Sequence, residues 1–143
     1  DLRPQSWGVD GLDIRAVLAV DSLDARSPLA PGAAAAAFTS GAIEDALSAA
    51  RTDFGVPAER TGNVADAARK AAAAGARQLV MMRAHPGPMG DLVDAARAEI
   101  AKDGVRLVER TRPWDEAFYP HATKGFFKLK EKIPAVLSRL GIA

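Results

Sequence analysis

Five residues between an apolar run and a helical pattern have the types and spacing for ligand chemistry. They are Arg83, His85, Gly87, Gly90 and Asp91, within Gln78 to Asp91 (Gln-Leu-Val-Met-Met-Arg-Ala-His-Pro-Gly-Pro-Met-Gly-Asp). Arg83 would pair with an acidic ligand group, and the two glycines would let the backbone come close to a ligand. The free N–H groups of the helix that follows could hold an anion. Pro86 and Pro88 remove two such donors, and the spacing is neither G-x-G-x-x-G nor a Walker loop. A strand-to-helix turn shaped by Pro and Gly explains the same residues without any ligand.

Asp21, Ser22 and Asp24 follow the other clear apolar run and face the same crevice if the two strands are neighbours. Two carboxylates there could bind a hydroxyl or a metal; a solvated loop with a capping Ser is the plainer reading. His85 and His121 are the only histidines, a thin basis for a metal centre. The chain has no Cys, which excludes disulfides, thiolate nucleophiles and Cys-ligated metals. No G-x-S-x-G elbow is present, so nothing supports nucleophilic catalysis. Lys124, Lys128, Lys130 and Lys132 interleave with Phe126, Phe127 and Leu129. Such a patch could neutralise phosphates and stack on bases. Alternatively its Phe and Leu pack on their own or a neighbouring domain while the lysines reach outward.

The elements that would position these groups alternate in type. Asp1 to Gly11 reads as an extended arm anchored by Trp7. Ile14 to Val20 is short, apolar and β-branched, as a buried strand requires. After a loop from Leu23 to Gly32 come five alanines, Ala33 to Ala37, and a helix through Phe54 that Thr39 or Ser40 could cap. Val56 to Thr61 is at best a weak strand. Asn63 is a natural N-cap for a helix from Val64 to Ala74. The strand Gln78–Arg83 precedes a helix from about Met89 to Lys102, and Val105 to Glu109 forms a further strand. Thr111 to Asp115 opens an irregular segment. Lys128 to Leu140 has helical spacing, with Pro134 predicting a break or a second start.

Strands alternating with helices of this length predict βαβ units. The expected fold is therefore α/β, a three-layer Rossmann-like sandwich with a small, mainly parallel sheet of four or five strands. Ligands in such sheets sit beyond the carboxyl ends of the strands. With 143 residues the chain is expected to form one domain. It is 48% apolar but only 6% aromatic, which suits closely packed, Ala-rich helices over a small sheet. With 19 basic and 18 acidic residues the net charge is +1, so no global field points to nucleic acid or membrane. No run approaches the roughly 18 apolar residues of a membrane span, and no charged-then-apolar leader is seen. A cytoplasmic location is expected. A start at Asp1 rather than Met reads as a processed form or a fragment of something larger.

The segment Arg112-Pro-Trp-Asp-Glu-Ala-Phe-Tyr-Pro-His-Ala-Thr-Lys-Gly-Phe-Phe-Lys-Leu-Lys-Glu-Lys-Ile-Pro134 resembles the exit from the N-terminal α/β domain of the photolyase/cryptochrome family. There a last strand leads into a Phe-rich segment of the type Tyr-x-x-Phe-x-x-Phe, to which Lys124-Gly-Phe-Phe-Lys-Leu-Lys is similar. The family's opening Trp-Phe-Arg-x-Asp-Leu-Arg signature is not found; Val20-Asp-Ser-Leu-Asp-Ala-Arg26 is a loose echo of it. The chain is also about one βα unit short of the family's five-stranded sheet. The resemblance implies a non-catalytic, antenna-like domain of a photolyase-type flavoprotein, binding a folate or deazaflavin pigment, another chromophore or a nucleotide, or serving only as scaffold. FAD would sit on a separate helical domain, and the parent protein would be a deoxyribodipyrimidine photolyase-type enzyme that meets DNA only indirectly from this domain.

On that reading Asp21, Ser22, Arg83, His85, Gly87, Gly90 and Asp91 would bind the cofactor, with residues 112–143 as a C-terminal docking segment. Trp114, His121, Lys124, Phe126 and Phe127 would dock on the helical partner. No membrane partner is expected. A second reading is a small nucleotide-binding enzyme or stress-protein-like domain acting on a phosphate ester. A third is an interaction domain whose crevice is filled by Met81, Met82 and Met89.

Overall fold

The computed structural model describes residues 8–142. The arm expected over Asp1–Gly11 falls mostly outside the described residues, Trp7 included. Its last part is a turn in which the Leu12 N–H donates to the Val9 carbonyl at 3.1 Å. The chain divides into two compact units, Asp1–Arg110 and Thr111–Ala143.

The first unit is mixed α/β. Strand β1 (Val17–Val20) pairs in parallel with β2 (Ala58–Thr61), from Val17 opposite Ala58 to Val20 opposite Thr61. Strand β3 (Gln78–Met82) pairs in parallel with β4 (Arg106–Arg110), from Gln78 opposite Arg106 to Met82 opposite Arg110. Parallel neighbours need a crossover, and helices supply each one. Helix α1 (Ala33–Phe54) joins β1 to β2, α2 (Val64–Ala73) joins β2 to β3, and α3 (Pro88–Lys102) joins β3 to β4. The described strands form two two-stranded sheets.

Two apolar clusters hold these elements. Leu47 and Ala50 of α1 pack on Ala58, with Val17, Ala19, Ile43 and Phe54 around them. Val64 and Ala68 of α2 meet Val93 and Ile100 of α3 and Val105 before β4. Val20 of β1 and Leu79 and Met81 of β3 pack against that same cluster, so it draws on strands of both pairs. Ala50 and Ala68 are fully buried at 0% exposure. A methyl is all that fits there, which is how an Ala-rich chain brings helices close to strands. Burying larger side chains such as Ile100 and Val93 contributes about 1.5–3 kcal/mol apiece.

Some helix boundaries follow the sequence signals and others do not. Asn63 caps α2 as expected, its Oδ1 accepting from the Asp66 N–H at 2.8 Å. Thr39 and Ser40, in contrast, lie inside α1, which already starts after Gly32. Five alanines lower the cost of helix formation enough to carry it past them. No described helix is long and apolar enough to cross a membrane.

The second unit is helical. Its opening, expected to be irregular, is α4 (Pro113–Phe118), followed by one 3₁₀ turn at Tyr119–His121. Pro113 at the first helical position has its φ preset and lacks only an N–H that would be unpaired there. The break expected near Pro134 is present: α5 (Phe126–Lys130) ends before α6 (Ile133–Arg139), whose first turn contains Pro134. Ala117 and Val136 are its buried residues, and Arg139 donates to the Ala117 carbonyl at 3.5 Å.

Candidate functional site

A half-open groove of about 730 Å³ lies beyond the C-terminal ends of β1 and β2. One rim is the loop Asp21–Ala25 after β1, tightened by the 3₁₀ turn at Leu23–Ala25. The floor includes Gly62 and Asn63 after β2 and Val64 and Ala65 at the start of α2. Leu92, Ala95, Ala96 and Glu99 of α3 form the far wall, and Ala36 of α1 closes one end.

Asp21 is hydrogen-bonded through both its main chain and its carboxylate. The Asp21 N–H donates to the Thr61 carbonyl at 2.9 Å, extending the β1–β2 ladder by one bond. Its carboxylate accepts from Arg60 of β2 and from the Leu23 N–H at 3.3 Å. Arg60 also donates to Ser40 of α1 at 2.9 Å, so it ties β2 to both β1 and α1. The Arg60 hydrogen bond holds the Asp21 carboxyl below its ordinary value, against a partial desolvation that raises it. Below it, the buried Thr61 hydroxyl donates to Asp66 at 2.7 Å, and this bond is the main reason the Asp66 carboxyl is also lowered. These carboxylates are held as acceptors.

Ser22 joins this region to α3. It is buried, and its hydroxyl donates to Met89 Sδ at 2.9 Å. The end of β1 and the start of α3 are therefore neighbours. Asp21, Ser22 and Asp24 line the groove; Arg83, His85, Gly87, Gly90 and Asp91 do not.

Those five residues serve the turn into α3. The Arg83 N–H donates to the Arg110 carbonyl at 2.7 Å, prolonging the β3–β4 ladder, while the residue itself is exposed. Gly87 precedes α3 with φ 137°, a backbone conformation reserved for glycine. At Gly90 an added Cβ would stand 2.9 Å from the His85 carbonyl oxygen. Asp91, exposed in the first turn of α3, suits the positive end of that helix. Among the described residues no group of three or more His, Asp or Glu is placed to hold a metal ion.

Sequence reasoning did not single out Arg60, Asn63 and Glu99 as groove residues. Arg60 lies on the strand read as weak, and Asn63 was explained by its capping role. The only available signal was Gly62-Asn63, a turn pair closing a strand ahead of a helix.

The second unit carries the residues expected to dock a partner. Trp114 is 49% exposed and stacks on Phe118 at 4.4 Å between ring centroids. Phe126 and Phe127, 64% and 80% exposed, meet edge to face at 5.8 Å. Lys124 is exposed and His121 half-buried.

No protein-family model, curated protein or solved structure matches the chain. The functional reading therefore rests on the geometry of the groove.

Proposed function

We propose that the first unit is a non-catalytic α/β binding module whose groove beyond β1 and β2 takes a small planar ligand, a chromophore or a nucleoside-type compound. The groove itself carries this reading. Its volume falls in the range of small-molecule sites, roughly 300–1,000 Å³, and its lining mixes small and apolar side chains with polar and charged ones in nearly equal share. Position supports it too, because α/β ligands gather beyond the carboxyl ends of strands.

The proposal includes a single Rossmann-like layering of the two strand pairs, in the order β2-β1-β3-β4. Support comes from α2, which packs on β1, β2 and β3, and from the cluster in which Val20 joins Leu79 and Met81. The hydrogen bond from Ser22 to Met89 supports it as well. Docking of Trp114, Phe126 and Phe127 on a helical FAD-bearing partner, as in photolyase/cryptochrome-type proteins, is a separate proposal that rests on the segment 112–134 alone.

The test is a tryptophan block in the groove. Ala95 is an exposed residue of α3 that lines the slot, so Ala95→Trp fills space without entering the core. Fluorescence titration with riboflavin as a planar probe is expected to give saturable binding to the wild type and none to the variant, with unchanged circular dichroism. Equal binding by both proteins would place the ligand elsewhere and sink the assignment.

A further inference from the structure

The groove's ionisable lining is lopsided, with Asp21, Asp24 and Glu99 against Arg60 and Arg69. Both arginines are already engaged on carboxylates: Arg60 on Asp21, and Arg69 on Asp66 at 3.4 Å. Among the described residues Asp24 and Glu99 have no ion-pair partner. Arg26, just beyond the rim, lies near enough to act on Asp21. Counting Arg26 and Asp66, and Lys70, which also acts on Asp66, gives four carboxylates against four cations, of which Arg60, Arg69 and Lys70 are already paired, Lys70 with Glu59 at 2.9 Å.

A phosphate or carboxylate entering this slot would find both arginines engaged and would lie near Asp24 and Glu99, with the opening turn of α2 at Asn63–Ala65 as the one remaining anion-favouring feature of the lining. Ionised carboxylates offer only acceptors, and they bond well to hydroxyl and amino donors. Resting on the reading that the groove binds a planar ligand, we infer that its ligand class is a neutral or cationic heterocycle bearing hydroxyl or amino donors, without phosphate or carboxylate. Its donors meet Asp21, Asp24 and Glu99.

Riboflavin and its 5′-phosphate test this directly, since they share a ring and differ by one anionic group. Titrated into the full chain at low salt, riboflavin is expected to bind at least about tenfold more tightly than its phosphate, the discrimination one like-charge contact gives in a part-solvated site. The gap is expected to narrow in molar salt, where exposed charges are screened, and in the variant Asp24→Asn. The salt arm uses the unmodified protein and stands even where the variant fails to fold. Equal or tighter binding of the phosphate overturns the inference while leaving the groove in place. Binding of neither probe, nor of adenosine, removes the planar-ligand reading and this inference with it.

Discussion

The His85 carbonyl oxygen stands 2.9 Å from where a Cβ on Gly90 would be, so the first turn of α3 closes against the backbone of the loop that feeds it. Neither atom can retreat easily, because one is main chain and the other sits in a helix. Gly90→Ala is expected to destabilise the chain by about 1–3 kcal/mol, the usual cost of forcing atoms into a filled space. Gly41 gives the opposite control. It lies inside α1 with nothing within 4 Å of an added Cβ, so Gly41→Ala is expected to stabilise by roughly 0.5–1 kcal/mol. Urea denaturation of the two variants measures both. Equal midpoints for Gly90→Ala and wild type would show that α3 starts differently.

The pair Asp21–Arg60 predicts a pH dependence. Arg60 lowers the Asp21 carboxyl from its ordinary 3.8 in the folded chain. A lowered carboxyl contributes stability that is fully present above its unfolded value and lost as the pH falls through the folded one. Both side chains keep contact with solvent, at 28% and 36% exposure, so the contribution is at most about 1 kcal/mol. Asp21→Asn is expected to be less stable than wild type at pH 7, with the difference shrinking as the pH falls below 3.8 and through the lowered folded value. A difference that persists unchanged at pH 2 would assign the loss to packing rather than charge.

The core shared by α2 and α3 is the place where a single truncation costs most. Ile100 is 1% exposed and touches the cluster of Val64, Ala68, Val93 and Val105. Ile100→Ala is expected to cost about 2–5 kcal/mol. Against a typical total of about 5–15 kcal/mol that is a large fraction of the stability. Thermal unfolding followed by circular dichroism would show it, and a loss below about 1 kcal/mol would mean that the cluster is loosely packed.

How legible all this was depended on where each residue spends its side chain. Val17–Val20 and Leu79–Met82 announced themselves as strands because their side chains are apolar and half-buried. Ala58–Thr61 did not: only its two ends are buried, while Glu59 and Arg60 face solvent. Polar middles belong to strands with one partner, and reading β2 as weak also hid Arg60, whose bond to Asp21 shapes the groove. The start of α1 was hidden for another reason. Alanine favours helix without marking a face, so Ala33–Ala37 gave no periodicity, and Thr39 and Ser40 looked like caps. Asp21 and Ser22 were visible as a strand end. That the groove opens over β2 rather than over the Arg83–Asp91 loop depends on packing across the chain, which no local pattern encodes.

That difference between the two loops can be measured. Arg83 is exposed, its N–H is fixed by the Arg110 carbonyl, and it does not line the groove. Arg83→Ala is therefore expected to leave both stability and riboflavin affinity unchanged, within about 0.5 kcal/mol for an exposed site. Arg60→Ala acts differently. It strips Asp21 and Ser40 of their common donor at the mouth of the slot and adds one uncompensated carboxylate to the lining. The riboflavin phosphate should then bind several-fold more weakly, facing one more unscreened carboxylate, while riboflavin, whose donors the freed Asp21 can still accept, loses less. Measured side by side, the two variants decide which loop holds the ligand: an effect from Arg83→Ala with none from Arg60→Ala would move the site to the turn before α3.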